Sequence, residues 1–174
     1  MTIDARSMAD QLLDAWNTRD IPRYMSLLSE EIEWYDPAML QPPARGLPEV
    51  QAFAESILHA FPDFSYEMLE PVCVSLDGNR CAVPWRIKAT HVAQLSPPGF
   101  APTNRQLDQE GIDLIDVVDG KVTRILTCFD PVAAGEQVLG IRLRPVPGSL
   151  RERVLVILQR LAAFRARRLT STCS

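Results

Sequence analysis

The sequence predicts an α+β fold. Three N-terminal helices pack on one face of a curved antiparallel or mixed sheet and enclose an apolar pocket, and one further helix stands at the C-terminus. Three observations predict it. Up to Phe61 the apolar residues recur mostly at helical spacing, and from Phe64 the period changes to two. The pairs Asp77-Gly78 and Asp119-Gly120 separate consecutive alternating runs, as hairpin turns do. Helices gathered before a run of hairpins form a layer on one side of a sheet. Such a layer can close over a cavity.

Met8, Leu12 and Trp16 recur at i, i+4 and i+8 in a first helix over residues 4–19, widened by Leu13 and Ala15. Asp20 can cap a second helix, with Pro22 in its first turn and Tyr24, Met25 and Leu28 facing inward. "EIEWY" alternates briefly as a short strand, and a Pro-rich loop follows. A third helix begins near Pro48, with Val50, Phe53, Ala54, Ile57, Leu58 and Phe61 on one face. "FSYEMLEPVCVS" reads as a strand with Phe64, Tyr66 and Met68 on one face and Pro71 at a bulge or edge. In "CAVPWRIKATHV", Val83, Trp85, Ile87, Ala89 and His91 share a face, and Arg86, Lys88 and Thr90 share the other. The loop "QLSPPGFAPTN", with Phe100, leads to the strand "RQLDQEGIDLIDVV" and then to the last strand, "KVTRILTCFD". Asp130 before Pro131 is placed to cap a short helix.

Residues 1–140 form one domain. Residues 141–174 form a linker and a basic amphipathic helix, with Leu150, Val154, Ile157, Leu158, Leu161 and Phe164 as its stripe and Arg151, Arg160 and Arg167 largely off it. The charge is uneven. The net value is −4, but residues 141–174 carry eight arginines and one acid, leaving −11 on residues 1–140. An acidic body argues against nucleic acid as the partner. The basic helix is expected to dock on that body or on a second subunit, with a membrane surface or a protein partner as the alternative.

No basic-then-apolar leader opens the chain and no apolar stretch approaches membrane-spanning length, so a cytoplasmic protein is expected. Cys73, Cys81, Cys128 and Cys173 show no CxxC or metal-ligand spacing, and with only His59 and His91 no zinc site is expected. A turn at Asp77-Gly78 sets Cys73 opposite Ala82, so Cys73 and Cys81 point to opposite faces and stay reduced.

Asp113 shares a strand face with Leu107, Gln109, Gly111, Ile115 and Val117, while Asp108, Glu110 and Asp116 point away. A carboxyl on an apolar face gains proton affinity, because burial disfavours its charge. It can then donate a hydrogen bond to a developing oxyanion. A structural carboxylate is the alternative. Asp36 follows Trp34 and Tyr35. It is either a turn residue or a general acid–base. His91 points with the apolar residues, as a core histidine or a secondary catalytic candidate. Trp16, Trp34, Tyr35 and Tyr66 are expected to line the substrate's binding place, together with Trp85, Phe100, Thr127 and Phe129.

The segment "GIDLIDVVDGKVTRILTCFD", followed by "LG", resembles the closing strands of SnoaL-like polyketide cyclases. "PDFSYEM", "ATHVAQL" and "PTNRQLDQEG" resemble their preceding segments, so the likeness covers about residues 5–140. It implies the nuclear-transport-factor-2-like cone, a superfamily that also holds ketosteroid isomerases and limonene epoxide hydrolases. "YDPAMLQPPARGLPEVQAF" is similar to the isomerase segment carrying the Asp base, which falls on Asp36. "GIDLIDVV" is similar to the segment carrying its protonated Asp, which falls on Asp113. The isomerase's oxyanion-hole tyrosine falls near Leu12. The acid that the cyclases and epoxide hydrolases use on the last strand falls on Thr127, and the cyclases' histidine falls on Asp113.

The resemblance therefore implies proton-transfer chemistry on an apolar ketone of polyketide or terpenoid type, by cyclisation, isomerisation or dehydration. It calls for no metal or organic cofactor and implies a homodimer. A non-catalytic module that binds a hydrophobic ligand or dimerises is one alternative. A hydrolase using His91 and a water, in the manner of the epoxide hydrolases, is another.

Overall fold

The structure, a computed structural model, describes residues 4–171, with 165–171 as backbone alone. Cys173 and the side chain of Arg167 lie outside the described residues. The chain divides into two compact units, Met1–Ile141 and Arg142–Ser174.

In the first unit, α1 (Ala5–Asn17) is capped by Asp4, whose carboxylate accepts the Ser7 N–H at 2.8 Å. It buries Met8, Leu12 and Trp16. The helix α2 (Ile21–Leu27) starts from Asp20, which accepts the Arg23 N–H, with Pro22 in the first turn. The helix α3 (Gly46–Ala60) buries Val50 and Ala54. The short α4 (Pro131–Leu139) is capped by Asp130, which accepts from Val132 N and Ala133 N at 3.1 and 2.9 Å. Gly140 ends it in the left-handed conformation that glycine adopts without strain. Asp130→Ala should lower stability by about 1 kcal/mol. The measurement is a lower denaturation midpoint at unchanged m-value. Equal midpoints would show that α4 needs no cap.

The strands are β1 (Leu28–Tyr35), β2 (Ala44–Arg45), β3 (Ser65–Met68), β4 (Cys73–Val74), β5 (Arg80–Thr90), β6 (Gln106–Val118) and β7 (Lys121–Cys128). They form one curved mixed sheet in the order β2-β1-β7-β6-β5-β3, with β4 also on β5. The β1–β7 pair is parallel and the others are antiparallel. The fold is an α+β arrangement of helices and one curved mixed sheet.

Two local expectations change. The run from Phe64 to Ser75 is two short strands, broken around Pro71, which has no N–H to give a ladder. The Pro-rich loop carries the short β2. The turn at Asp119-Gly120 has both residues at positive φ (50° and 73°), the conformation of a two-residue hairpin, and pairs Val118 with Lys121. Cys73 stands opposite Ala82, and Cys73, Cys81 and Cys128 are free thiols.

In the second unit, Ser149 and Glu152 satisfy backbone N–H groups at the start of α5 (Leu150–Ser171). Ser149 Oγ accepts the Glu152 N–H at 3.2 Å, and Glu152 Oε2 accepts the Gly148 N–H at 2.5 Å. Among the described residues no helix is long and apolar enough to cross a membrane.

Candidate functional site

The ladder sets which side chains meet. Across β5, β6 and β7 the residues Val83, Asp113 and Thr127 lie directly opposite one another, so they share the inner face. Trp85 lies opposite Gly111 on one side and Met68 on the other, and Tyr66 lies opposite Ile87. Trp34 lies opposite Ile125, two residues before Thr127 on β7. Alternation then turns Trp34 inward and Tyr35 outward.

Asp36 ends β1 with its side chain buried, 8% exposed. Its Oδ1 accepts the Ala38 N–H at 2.7 Å, and its carbonyl accepts the Met39 N–H, so the Asp-Pro turn holds the carboxyl inward. Burial pushes its pKa up to about 7, against the pull of the Ala38 N–H, and the charge of Asp113 pushes the same way. Asp36 therefore feels the charge of Asp113 as well as its own burial.

Asp113 is held from β3. The Tyr66 hydroxyl donates to Asp113 Oδ2 at 2.6 Å. Asn17 fixes Tyr66 in turn, donating to its carbonyl and accepting its N–H, both at 2.8 Å. The Arg19 guanidinium donates to the Pro62 and Phe64 carbonyls and ties the same edge to the end of α1. Asp113 Oδ1 is buried and has no hydrogen-bond partner among the described residues. Burial raises the Asp113 proton affinity, restrained by Tyr66, Thr127 and Trp85 in that order. The Tyr66 hydroxyl is pushed far above its ordinary range by burial and by the charge of Asp113.

Aromatic rings surround the pair. Trp16 meets Tyr24, Trp34 and Phe64 edge-on at 5.4, 6.0 and 5.6 Å between centroids. Tyr66 lies 5.6 Å from Trp85, and Trp85 lies 6.0 Å from Phe129. Thr127 is buried and its Oγ1 accepts the Trp34 Nε1–H at 3.0 Å.

Asp36, Asp113, Tyr66, Thr127, Trp34, Trp16, Trp85 and Phe129 thus belong to one interior. Three expected positions do not. Tyr35 is 42% exposed on the outer face of the sheet. Phe100 is exposed in its loop and pairs through the backbone with Leu95. His91 is wholly buried at the far end of β5, stacked on Phe61 at 5.2 Å with Nδ1 3.3 Å from Thr103 Oγ1. Neither carboxyl has it as a partner, and burial lowers its proton affinity, so it serves the core. Tyr24 faces inward from α2, as its helical spacing predicts, and stands near the carboxyls. It is buried, and burial followed by the charges of Asp113 and Asp36 raises its hydroxyl's pKa. Its place beside the carboxyls depends on α2 packing against α1, α3 and β1, which no local pattern encodes.

The SnoaL-like domain family matches residues 9–125, more than half of the chain, and the protein belongs to that family. No curated protein matches it in sequence. Three solved structures share the fold. A candidate SnoaL-like polyketide cyclase from Jannaschia sp. CCS1 has a TM-score of 0.68 at 17% identity, covering 83% of this chain and 97% of that one. AclR, a candidate hydroxylase from Streptomyces galilaeus, has a TM-score of 0.61 at 21% identity, covering 94% and 95%. IdmH, a candidate polyketide cyclase from Streptomyces antibioticus, has a TM-score of 0.63 at 20% identity, covering 78% and 98%. At these identities the likeness is one of fold.

Proposed function

We infer that this protein is an enzyme that moves a proton at a carbon beside a ketone, in a cyclisation, isomerisation or dehydration of an apolar, flat substrate. One observation carries the reading. Asp36 and Asp113 turn into the same aromatic interior, and Asp113 Oδ1 is buried there without a protein partner. Burial favours the protonated form of Asp113, so the productive arrangement has Asp36 ionised and Asp113 neutral. Asp36 removes a proton from the α-carbon and returns it elsewhere on the same molecule. Asp113, with Oδ2 held by Tyr66, presents its own proton to the ketone oxygen as negative charge develops there. The surrounding rings exclude water, which strengthens that hydrogen bond.

The test is exchange of the α-protons of 2-tetralone for deuterium, followed by NMR. The protein should accelerate exchange, with a rate that rises with pH through about 7 as Asp36 ionises. Asp36→Asn should lose about 10²- to 10⁴-fold. Exchange by the Asn variant at the parent rate would remove Asp36 as the base. No acceleration with 2-tetralone and with larger polycyclic ketones would favour a non-catalytic ligand-binding role.

A further inference from the structure

We propose that the Trp85 indole N–H is a second donor to the substrate's ketone oxygen, beside the carboxyl of Asp113. The ladder brings the two together. Trp85 stands opposite Gly111, and Asp113 is two residues further along β6 on the same face. Such diagonal neighbours are within reach of a large ring. The ring lies over β6, because Cζ2 and Cη2 of Trp85 fill the place where a Gly111 side chain would be. Cζ2 and Nε1 are bonded to the same ring carbon, so the edge that carries the N–H is turned toward β6. Tyr66 completes the group. Its ring lies 5.6 Å from Trp85, and its hydroxyl donates to Asp113 Oδ2 at 2.6 Å.

Two polar atoms of this group remain without a protein partner. Trp85 Nε1 and Asp113 Oδ1 are buried and unpartnered among the described residues, and they are not bonded to each other. An indole N–H only donates. Asp113 Oδ2 already accepts from Tyr66, so a neutral Asp113 carries its proton on Oδ1 and donates from there. Two neighbouring buried donors without an acceptor are costly in an apolar interior. A ketone oxygen has two lone pairs and accepts from both. Part of the surface of Tyr66, Asp113 and Phe129 stays accessible, so a ligand can reach the place. Negative charge developing on that oxygen strengthens both bonds. Trp16 Nε1 is buried and unpartnered too, but its ring contacts are with Tyr24, Trp34 and Phe64, not with Tyr66 or Trp85. The catalytic consequence for Trp85 rests on the proton-transfer reading, whereas its bond to a ligand oxygen is measured without turnover.

The experiment is the indole N–H spectrum of ¹⁵N-labelled protein, which holds three signals because the chain has three tryptophans. Trp16→Phe and Trp34→Phe assign two of them and leave Trp85 by elimination, so no change at Trp85 is needed. The Trp34 N–H is committed to Thr127 Oγ1 and serves as the internal reference. The probes are 2-tetralone, whose oxygen only accepts, and tetralin, the same ring skeleton without the oxygen. 2-Tetralone should move the Trp85 N–H signal downfield of its position with tetralin, and the Trp34 signal should sit at the same place with both. Trp85→Phe should weaken 2-tetralone binding by about 10-fold, leave tetralin binding nearly unchanged, and slow α-proton exchange by about 10²-fold. Equal Trp85 positions with the two probes, a shift confined to Trp16, or no binding of 2-tetralone would overturn the proposal. A Trp85 shift specific to 2-tetralone, in a protein that exchanges no α-protons, would support it and count against the enzyme reading alone. Exchange that depends on Asp36 while Trp85 stays unmoved would keep the enzyme reading and remove this donor.

Discussion

Asp36→Asn should raise the melting temperature at pH 8 by about 4 to 8 °C and leave it nearly unchanged near pH 4. The sign follows from linkage. In the unfolded chain Asp36 titrates at its ordinary 3.8, and in the folded chain at about 7. Between those values the folded protein holds a proton that the unfolded one has released. Its stabilising effect is complete below pH 3.8 and is lost as the pH rises through about 7. A shift of this size corresponds to an upper limit of about 4 kcal/mol. Asparagine carries no charge, and its oxygen can still accept the Ala38 N–H, so the variant avoids most of that loss. Allowing for relaxation around the ionised group, a gain of about 2 kcal/mol is expected, and each kcal/mol moves the midpoint by about 2 to 4 °C in a chain of this length. The same substitution should remove proton transfer, so stability and activity move in opposite directions at one residue. A difference in melting temperature that is the same at pH 4 and pH 8 would mean that Asp36 is not held above its ordinary pKa. Calorimetric scans at the two pH values decide it.

Gly111→Ala should cost about 3 kcal/mol. Gly111 lies opposite Trp85 on the ladder, and the indole covers the space where a side chain would be. A Cβ built there would fall 2.7 Å from the Cys128 carbonyl oxygen and closer still to Cζ2 and Cη2 of Trp85. Trp85 is 2% exposed, wedged between Tyr66 and Phe129, so it has nowhere to move without displacing the rings around the carboxyl pair. Overpacking of this kind usually costs about 1 to 3 kcal/mol, and backbone contact on the second side places this case at the upper end. Thermal unfolding should show a lower midpoint and altered tryptophan fluorescence. Trp85→Phe in the Gly111→Ala background removes the two clashing ring atoms and should recover part of the loss. A Gly111→Ala protein as stable as the parent would mean that the Trp85 ring does not rest on that glycine. The glycine in "QEGID" therefore makes room for the ring that closes one side of the site.

The carboxyl pair was legible in unequal parts. Asp113 could be placed from alternation alone, because its strand is long and its charged neighbours fall in the opposite phase. The same alternation excludes Tyr35: if Trp34 points inward, the residue after it points out. Asp36 could not be decided that way. It follows the last strand residue, where the pleat ends and the Asp-Pro turn takes over, and its direction depends on the Ala38 N–H. Tyr66 was read as a lining residue, but its hydroxyl's bond to Asp113 requires β5 to lie between β3 and β6 at one register.

The amino-acid sequence by itself determined the helix starts at Asp20 and Asp130, the inner faces of β5 and β6, and the hairpin registers that set Cys73 against Ala82 and Val118 against Lys121. These depend on periodicity, capping and turn chemistry among residues close in the chain. The tertiary structure decided the parallel pairing of β1 with β7, the hydrogen bond from Trp34 to Thr127 and the inward turn of Asp36. The first two join residues separated by most of the domain, and the third is set where the Asp-Pro turn leaves the end of β1. A local pattern fixes which way a side chain points from its own strand, but only the closed sheet fixes which side chain it meets.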